Sequence, residues 1–253
     1  MACRPAITLA VATLAVGLPV SGGANEQSDP VLAVETGKAN PEVARNRLEK
    51  SLREQGCSLR VVFDNDTDDA AMLFRVGTPA DEPHPVLIAV NRDLALPRPV
   101  WVTRRTAGVR SLSGLVDRDL SIVTGPDPLG AELPLAALAR AGIHPAPEQL
   151  YGAGDYGSAL GLLLHNNTHA SVAEAGWLEP LREKNDLVVT WAGKPSVQAG
   201  WYRGPRWSSA FASCEQVVAG LRREDDRQKF SVFPGWVFGF LPPGEIPSKE
   251  GVQ

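Results

Sequence analysis

With 29 acidic against 25 basic side chains in 253 residues, the chain carries a net charge of −4 with its histidines neutral. That balance excludes the broad basic face on which nucleic-acid binding depends. Three cysteines are too few for a four-thiolate zinc site.

Met1 to Ala24 holds one charged side chain, Arg4, then an apolar run from Ala6 to Val20 interrupted by Pro19, then Ser21-Gly22-Gly23-Ala24. A basic start, a short apolar centre and small residues before a cut predict a signal peptide over residues 1–24. The run is too short for a comfortable membrane span, so no membrane insertion is expected after cleavage. Loss of Arg4 takes the net charge from −4 to −5. The remaining length suits one large domain or two small lobes. Cys57 and Cys214 then stay in the chain. They form one disulfide or remain two buried thiols, and sequence alone leaves both open.

Val31 to Glu35 reads as a first buried strand. Asn40 as N-cap, Pro41 at the first helical position and Glu42 next predict a helix. Val43, Leu48 and Leu52 are its expected inward residues, and Gly56 ends it. Lys38 lies beside that helix start. Leu59 to Phe63 is a second strand. Asp64, Asp66 and Asp68 resemble a calcium loop in spacing, but Asp69 and Arg75 stand where its glycine and terminal glutamate belong. The acidic run instead predicts a helix over residues 70–76. Residues 86–90 and 99–103 read as strands, and Arg104-Arg105 follows as a pair whose guanidinium forks suit oxyanions.

Residues 119–142 are the organising stretch: the strand Leu120 to Val123, a Gly/Pro turn from Thr124 to Gly130, and a helix over 131–141 stopped by Gly142. The first turn of such a helix presents unpaired N–H groups and the positive end of its dipole, a receptor for an anion or a carbonyl oxygen. The pattern continues with a brief strand at 149–151, a loop through Tyr156, and a helix over 158–164. After it come a strand at 168–173, a helix over 177–184 and a strand at 186–191. Alternating units of this length imply largely parallel, doubly wound sheets. His165 and His169 have i, i+4 spacing, but Asn166-Asn167-Thr168 breaks the helix between them, so no metal site is expected there. Residues 208–223 read as a helix with Phe211, Val217, Val218 and Leu221 inward. Residues 230–241 form an aromatic packing segment that returns to the first lobe.

Several of these stretches resemble the phosphate/phosphonate-binding group of periplasmic solute receptors that serve ABC importers. Val102 to Arg105, then Val109 to Leu115, looks like that family's strand, hinge and second-lobe opening, with Gly114 in place of its aspartate. Gly130 and Pro134 match a glycine and a proline at the start of its ligand-binding helix. Gly154-Asp155-Tyr156, Ala170 to Glu174 and Gly235 to Pro242 resemble its later segments. The departures are chemical: Asp127, Pro128 and Leu129 stand where the family carries Ser/Thr hydroxyls, and a carboxylate there repels a dianion.

The resemblance implies an α/β, two-lobed periplasmic-binding-protein-like (type II) fold with a first lobe of reduced size. Lobe 1 is expected over residues 25–103 and 196–253, lobe 2 over 104–195, hinged near Thr103 and Pro195. The implied function is a monomeric periplasmic solute-binding protein. It would capture a small anionic or zwitterionic, phosphonate-like ligand for an ABC permease. The alternative is a non-transport accessory or sensor protein of the same fold, with a metal-carrying version that would use His165, His169, Asp127 or Glu174. The expected ligand-binding set is Lys38, Asn40, Arg104, Arg105, Asp127, Leu129, Gly130, Tyr156 and Glu174. Because Asp127 and Glu174 enter that set, a ligand with a positive group fits better than bare phosphate. No Gly-x-Ser-x-Gly turn or cysteine–histidine neighbourhood is present, so neither catalysis nor a cofactor is expected.

Overall fold

The structure, a computed structural model, describes residues 29–36, 41–64, 67–77 and 84–247. The signal-like segment, Lys38 and Asn40 lie outside the described residues.

Val31–Val34 forms β1, and Glu42–Glu54 forms α1. Pro41 occupies the N-cap position of α1, one residue before its expected place. The buried face of α1 is Ala44, Leu48 and Leu52, at four-residue spacing. Val43, expected inward, is 64% exposed. Arg60–Phe63 is β2 and Ala70–Val76 is β3. The helix expected over 70–76 is therefore a strand. It pairs with β1 and the later strand at residues 199–203, and both of its faces are packed, Ala71, Met72 and Phe74 in one apolar cluster and Ala70 and Leu73 in another. A strand covered on both faces loses the alternation that marks strands in sequence.

Leu87–Val90 is β4, Pro99–Arg104 is β5, Leu120–Val123 is β6, and Glu132–Arg140 is α2. Leu150–Ala153 is β7, Tyr156–Leu164 is α3, Ala170–Glu174 is β8, and Ala175–Arg182 is α4. Leu187–Ala192 is β9, Ala199–Arg203 is β10, Ala212–Gly220 is α5, and Gly239–Leu241 is β11. The helix at the tail is thus shorter than residues 208–223. Of its expected inward residues, Phe211, Val218 and Leu221 are buried and Val217 is half-buried.

The strands make two sheets, one per lobe. The first has the order β11-β4-β10-β3-β1-β2 and the second β7-β6-β8-β5-β9. Both are mixed. Parallel pairs join β1 to β2 and β3, and β6 to β7 and β8. The strands that follow a crossing between lobes, β5 and β10, enter antiparallel to their neighbours. Since β5 pairs in the second sheet, the first crossing is residues 91–98, earlier than the expected boundary at 103/104. The second crossing is residues 193–198.

Strand β10 has no forerunner in the sequence pattern. It depends on Gly200, where an added Cβ would lie 2.6 Å from the Leu87 carbonyl oxygen and 2.7 Å from Pro85 Cβ. Around β10, Phe74, Trp201, Phe230, Phe233 and Phe240 pack with ring centroids 4.7 to 5.9 Å apart. Such edge and stacked pairs add to the stabilisation from their buried area. Cys57 and Cys214 form a disulfide, with Cα atoms 5.5 Å apart, so the thiol alternative falls. The bond joins the end of α1 to α5 within lobe 1.

Candidate functional site in the crevice between the lobes

In the second sheet, the C-terminal ends of β6 and β8 point to the gap between the lobes. After Val123 the chain turns through Thr124-Gly125-Pro126-Asp127. Thr124 donates from its amide at 2.8 Å and its hydroxyl at 3.1 Å to the Ala153 carbonyl, which ties this turn to the end of β7. Gly130 closes the turn. Its carbonyl accepts from Val123 N at 2.9 Å, its amide donates to Asp127 O at 3.0 Å, and an added Cβ would meet Val123 Cβ at 2.8 Å. Gly130 therefore faces β6 and not the gap. Leu129 is fully buried in the core. The first-turn amide of Leu133 is already bonded to Pro128 O at 3.0 Å, so the start of α2 turns part of its donor capacity inward.

What faces the gap is Asp127 and the start of α3. A hollow of about 100 Å³ is lined from lobe 2 by Val123 to Asp127 and Gly154 to Tyr156. From lobe 1 it is lined by Thr36, Val76, Pro234 and Gly235. Asp155 caps α3 and accepts from Ser158 N at 2.8 Å, a carboxylate placed where it suits the helix dipole. Among the described lining residues the charged side chains are Asp127 and Asp155.

Asp127 is 9% exposed and, among the described residues, accepts three hydrogen bonds. Tyr156 Oη donates to Oδ2 at 2.7 Å, Trp236 Nε1 donates to Oδ2 at 2.9 Å, and Leu129 N donates to Oδ1 at 3.1 Å. Burial pushes its carboxyl up to about 6. The three donors oppose that rise, and nearby Glu174 adds to it. The same burial, with Asp127 beside it, raises the Tyr156 phenol well above its ordinary value, so it stays a donor.

Glu174 is fully buried at the end of β8, beside the first crossing. Its Oε1 accepts from Asn91 Nδ2 at 2.9 Å and from Arg98 N at 3.2 Å, while Oε2 caps α4 through Trp177 N at 2.8 Å. Burial raises its carboxyl, against the pull of those donors. Glu174 therefore fastens the crossing to lobe 2 and does not line the hollow.

Arg104 and Arg105 correct the expected set. Strand β5 runs antiparallel to β8, with Pro99 beside Glu174 and Thr103 beside Ala170, so the residues after Thr103 sit at the end of the sheet away from the gap. Arg104 donates there to the Leu164 carbonyl, and Arg105 Nε bonds Asp186 at 2.7 Å. The histidines are likewise apart from the crevice. His165 ends α3, and His169 Nδ1 accepts from Asp119 N at 3.3 Å.

No family model matches the sequence, and no curated protein does either. Solved structures do resemble it. PhnD1 from Prochlorococcus marinus, in complex with methylphosphonate, superposes with a TM-score of 0.57 at 16% identity, over 84% of this chain and 92% of its own. A binding protein component of an ABC phosphonate transporter from Pseudomonas aeruginosa gives 0.57 at 12% identity, over 85% and 82%. XAC2383 from Xanthomonas citri, bound to ATP, gives 0.56 at 17% identity, over 86% and 92%. The chain has the α/β two-lobed fold of the periplasmic binding proteins.

In a fold of this kind the gap between lobes is where partners of both halves can meet one small molecule. Of the expected residues, the structure brings Asp127 and Tyr156 together at that gap, with the Leu129 amide behind them. The reading of the sequence missed Thr36, Thr124, Asp155, Pro234, Gly235 and Trp236. The last three sit in a strap over residues 230–238 whose shape is held by Arg223. That buried guanidinium donates to the carbonyls of Val237 at 2.5 Å, Pro234 at 2.8 Å and Phe230 at 3.2 Å. Burial, with Arg227 nearby, lowers it to about 10. An aromatic-rich tail signalled packing, but nothing in it signalled which carboxylate Trp236 would meet.

Proposed function

We propose that the chain is an exported solute-binding protein that takes a small ligand bearing a positive group into the crevice between its lobes. The observation that carries this reading is the pairing of a hollow of about 100 Å³ with a nearly buried carboxylate, Asp127, whose hydrogen-bond donors among the described residues are all uncharged. A buried ionised carboxylate is costly without a counter-charge, and a ligand ammonium would supply one. Asp155 at the rim adds attraction of the same sign. The volume corresponds to a few water molecules, which favours a compact amine or a small zwitterion over a larger solute.

Export is supported by the signal-like residues 1–24 and by the Cys57–Cys214 disulfide, a bond that persists in oxidising compartments. Service to an ABC permease is supported by the named transporter component among the structural neighbours.

Calorimetry on the purified chain lacking residues 1–24 tests the proposal, with methylammonium, ethanolamine, glycine, 2-aminoethylphosphonate, methylphosphonate and phosphate as titrants. Heat is expected with the amine-bearing compounds, lost in Asp127→Asn, and absent with phosphate. No heat with any of the six would remove the solute-binding reading.

A further inference from the structure

The partners of Asp127 come from three places in the chain. Leu129 N belongs to its own turn, Tyr156 Oη to the start of α3, and Trp236 Nε1 to the strap of lobe 1. The first two lie in lobe 2, and the third reaches across the gap. Three neutral donors within 2.7 to 3.1 Å of one carboxylate form a seat of the kind that holds a small oxyanion. Here the occupant is covalently part of the chain.

We infer that Asp127 is an internal ligand: its carboxyl group fills an oxyanion seat built from both lobes and draws them together, as the acid group of a bound solute would. Gly235 supports the closeness of the approach, since a Cβ there would meet the Tyr156 ring at 3.6 Å. The strap and α3 are thus in van der Waals reach beside the bridging bonds. Removing the carboxymethyl group of Asp127 would leave a space of matching shape for acetate. Glu174 and Asp155 nearby disfavour a dianion in that space, so a singly charged carboxylate is the class of guest that fits best. In the native chain the seat is taken, and the positive end of a solute is what remains to be recognised. The inference stands on the contacts of the crevice and not on which solute it takes.

The test uses the chain lacking residues 1–24 near pH 7, by small-angle scattering and thermal melting. The native protein without solute is expected to scatter as the closed form, and millimolar acetate should leave its melting point unchanged. Asp127→Gly is expected to scatter as a more extended particle and to melt earlier. Acetate should restore both properties, and chloride at equal ionic strength should not. Trp236→Phe removes only the donor that crosses the gap and should also extend the particle, which decides the matter if Asp127→Gly fails to fold. An Asp127→Gly protein as compact as the native one, an extension that acetate does not reverse, or an unchanged Trp236→Phe would each overturn the inference. A titration without heat for any of the six compounds would end the solute-binding reading and would leave these readouts as they are.

Discussion

The indole of Trp236 and the carboxylate of Asp127, 109 residues apart in sequence, meet at 2.9 Å across the gap between the lobes. Neither residue is at the surface, and the bond joins a strap of one lobe to a turn of the other. The energetics of that contact set the first prediction.

Asp127 titrates at about 6 in the folded chain and at 3.8 when solvated. Between those values the folded state keeps a proton that the unfolded state has released. Stability therefore falls as pH rises from about 4 to 6, by on the order of 3 kcal/mol for this group alone. Asp127→Asn cannot ionise, so the difference in urea stability between it and the native protein should change with this slope across that window. A difference independent of pH would contradict the assignment.

Glu174 holds Asn91 and Arg98 from the first crossing and caps α4 at the same time. Glu174→Gln turns one acceptor into a donor facing an N–H group, and a buried unmatched group costs about 1–3 kcal/mol. The expected result is a melting point lower by roughly 3–10 °C for a chain of this size. Because Gly176 would place a Cβ 2.8 Å from Asn91 Nδ2, Gly176→Ala should disturb the same contact and add little in the double variant.

Arg223 donates to three strap carbonyls and, among the described residues, has no carboxylate in its hydrogen bonds. Arg223→Met would leave the Val237 carbonyl without a described partner, while the carbonyls of Pro234 and Phe230 keep their bonds from Val237 N at 3.0 Å and Phe233 N at 3.1 Å, at a cost of about 1–3 kcal/mol. Arg223→Lys should recover part of the loss, since one ammonium cannot reach three carbonyls with the geometry of a planar fork. Chemical denaturation of the two variants checks the order native, Lys, Met.

The Cys57–Cys214 bond closes a loop of 157 residues. Chain-entropy arguments put the stabilisation for such a loop near 5 kcal/mol, and measured values for native disulfides run about 2–5 kcal/mol. The Cys57→Ala, Cys214→Ala double variant should melt roughly 5–15 °C lower. Melting within a degree or two of the native protein would show that the reduced chain is already restrained.

Much of this architecture could be read from residues alone. Val31 to Val34, Val61 to Phe63 and Leu120 to Val123 announce strands through β-branched and apolar runs, and Gly56 and Gly142, with φ of +84° and +75°, mark helix ends that other side chains adopt poorly. Ala70 to Val76 misled because alanine, methionine and leucine favour helices and acidic residues precede them. Its place between β1 and β10 overrides that preference. Arg104 and Arg105 suit an oxyanion by their guanidinium chemistry, whereas strand direction decides which end of the sheet they reach. Asp127 stood out as a departure from the family's hydroxyls, but its partner Trp236 lay in a stretch that reads only as packing. Contacts between distant segments leave no local pattern to read.

The disulfide has a further consequence for how the polypeptide survives cutting. Lobe 1 is assembled from the first and last portions of the chain, and Cys57 and Cys214 lie on either side of everything that makes lobe 2. A protease that nicks any exposed loop between residues 91 and 198 would leave both pieces covalently stitched through lobe 1. Such a nicked molecule would run as one band on a gel without thiol and as two with it.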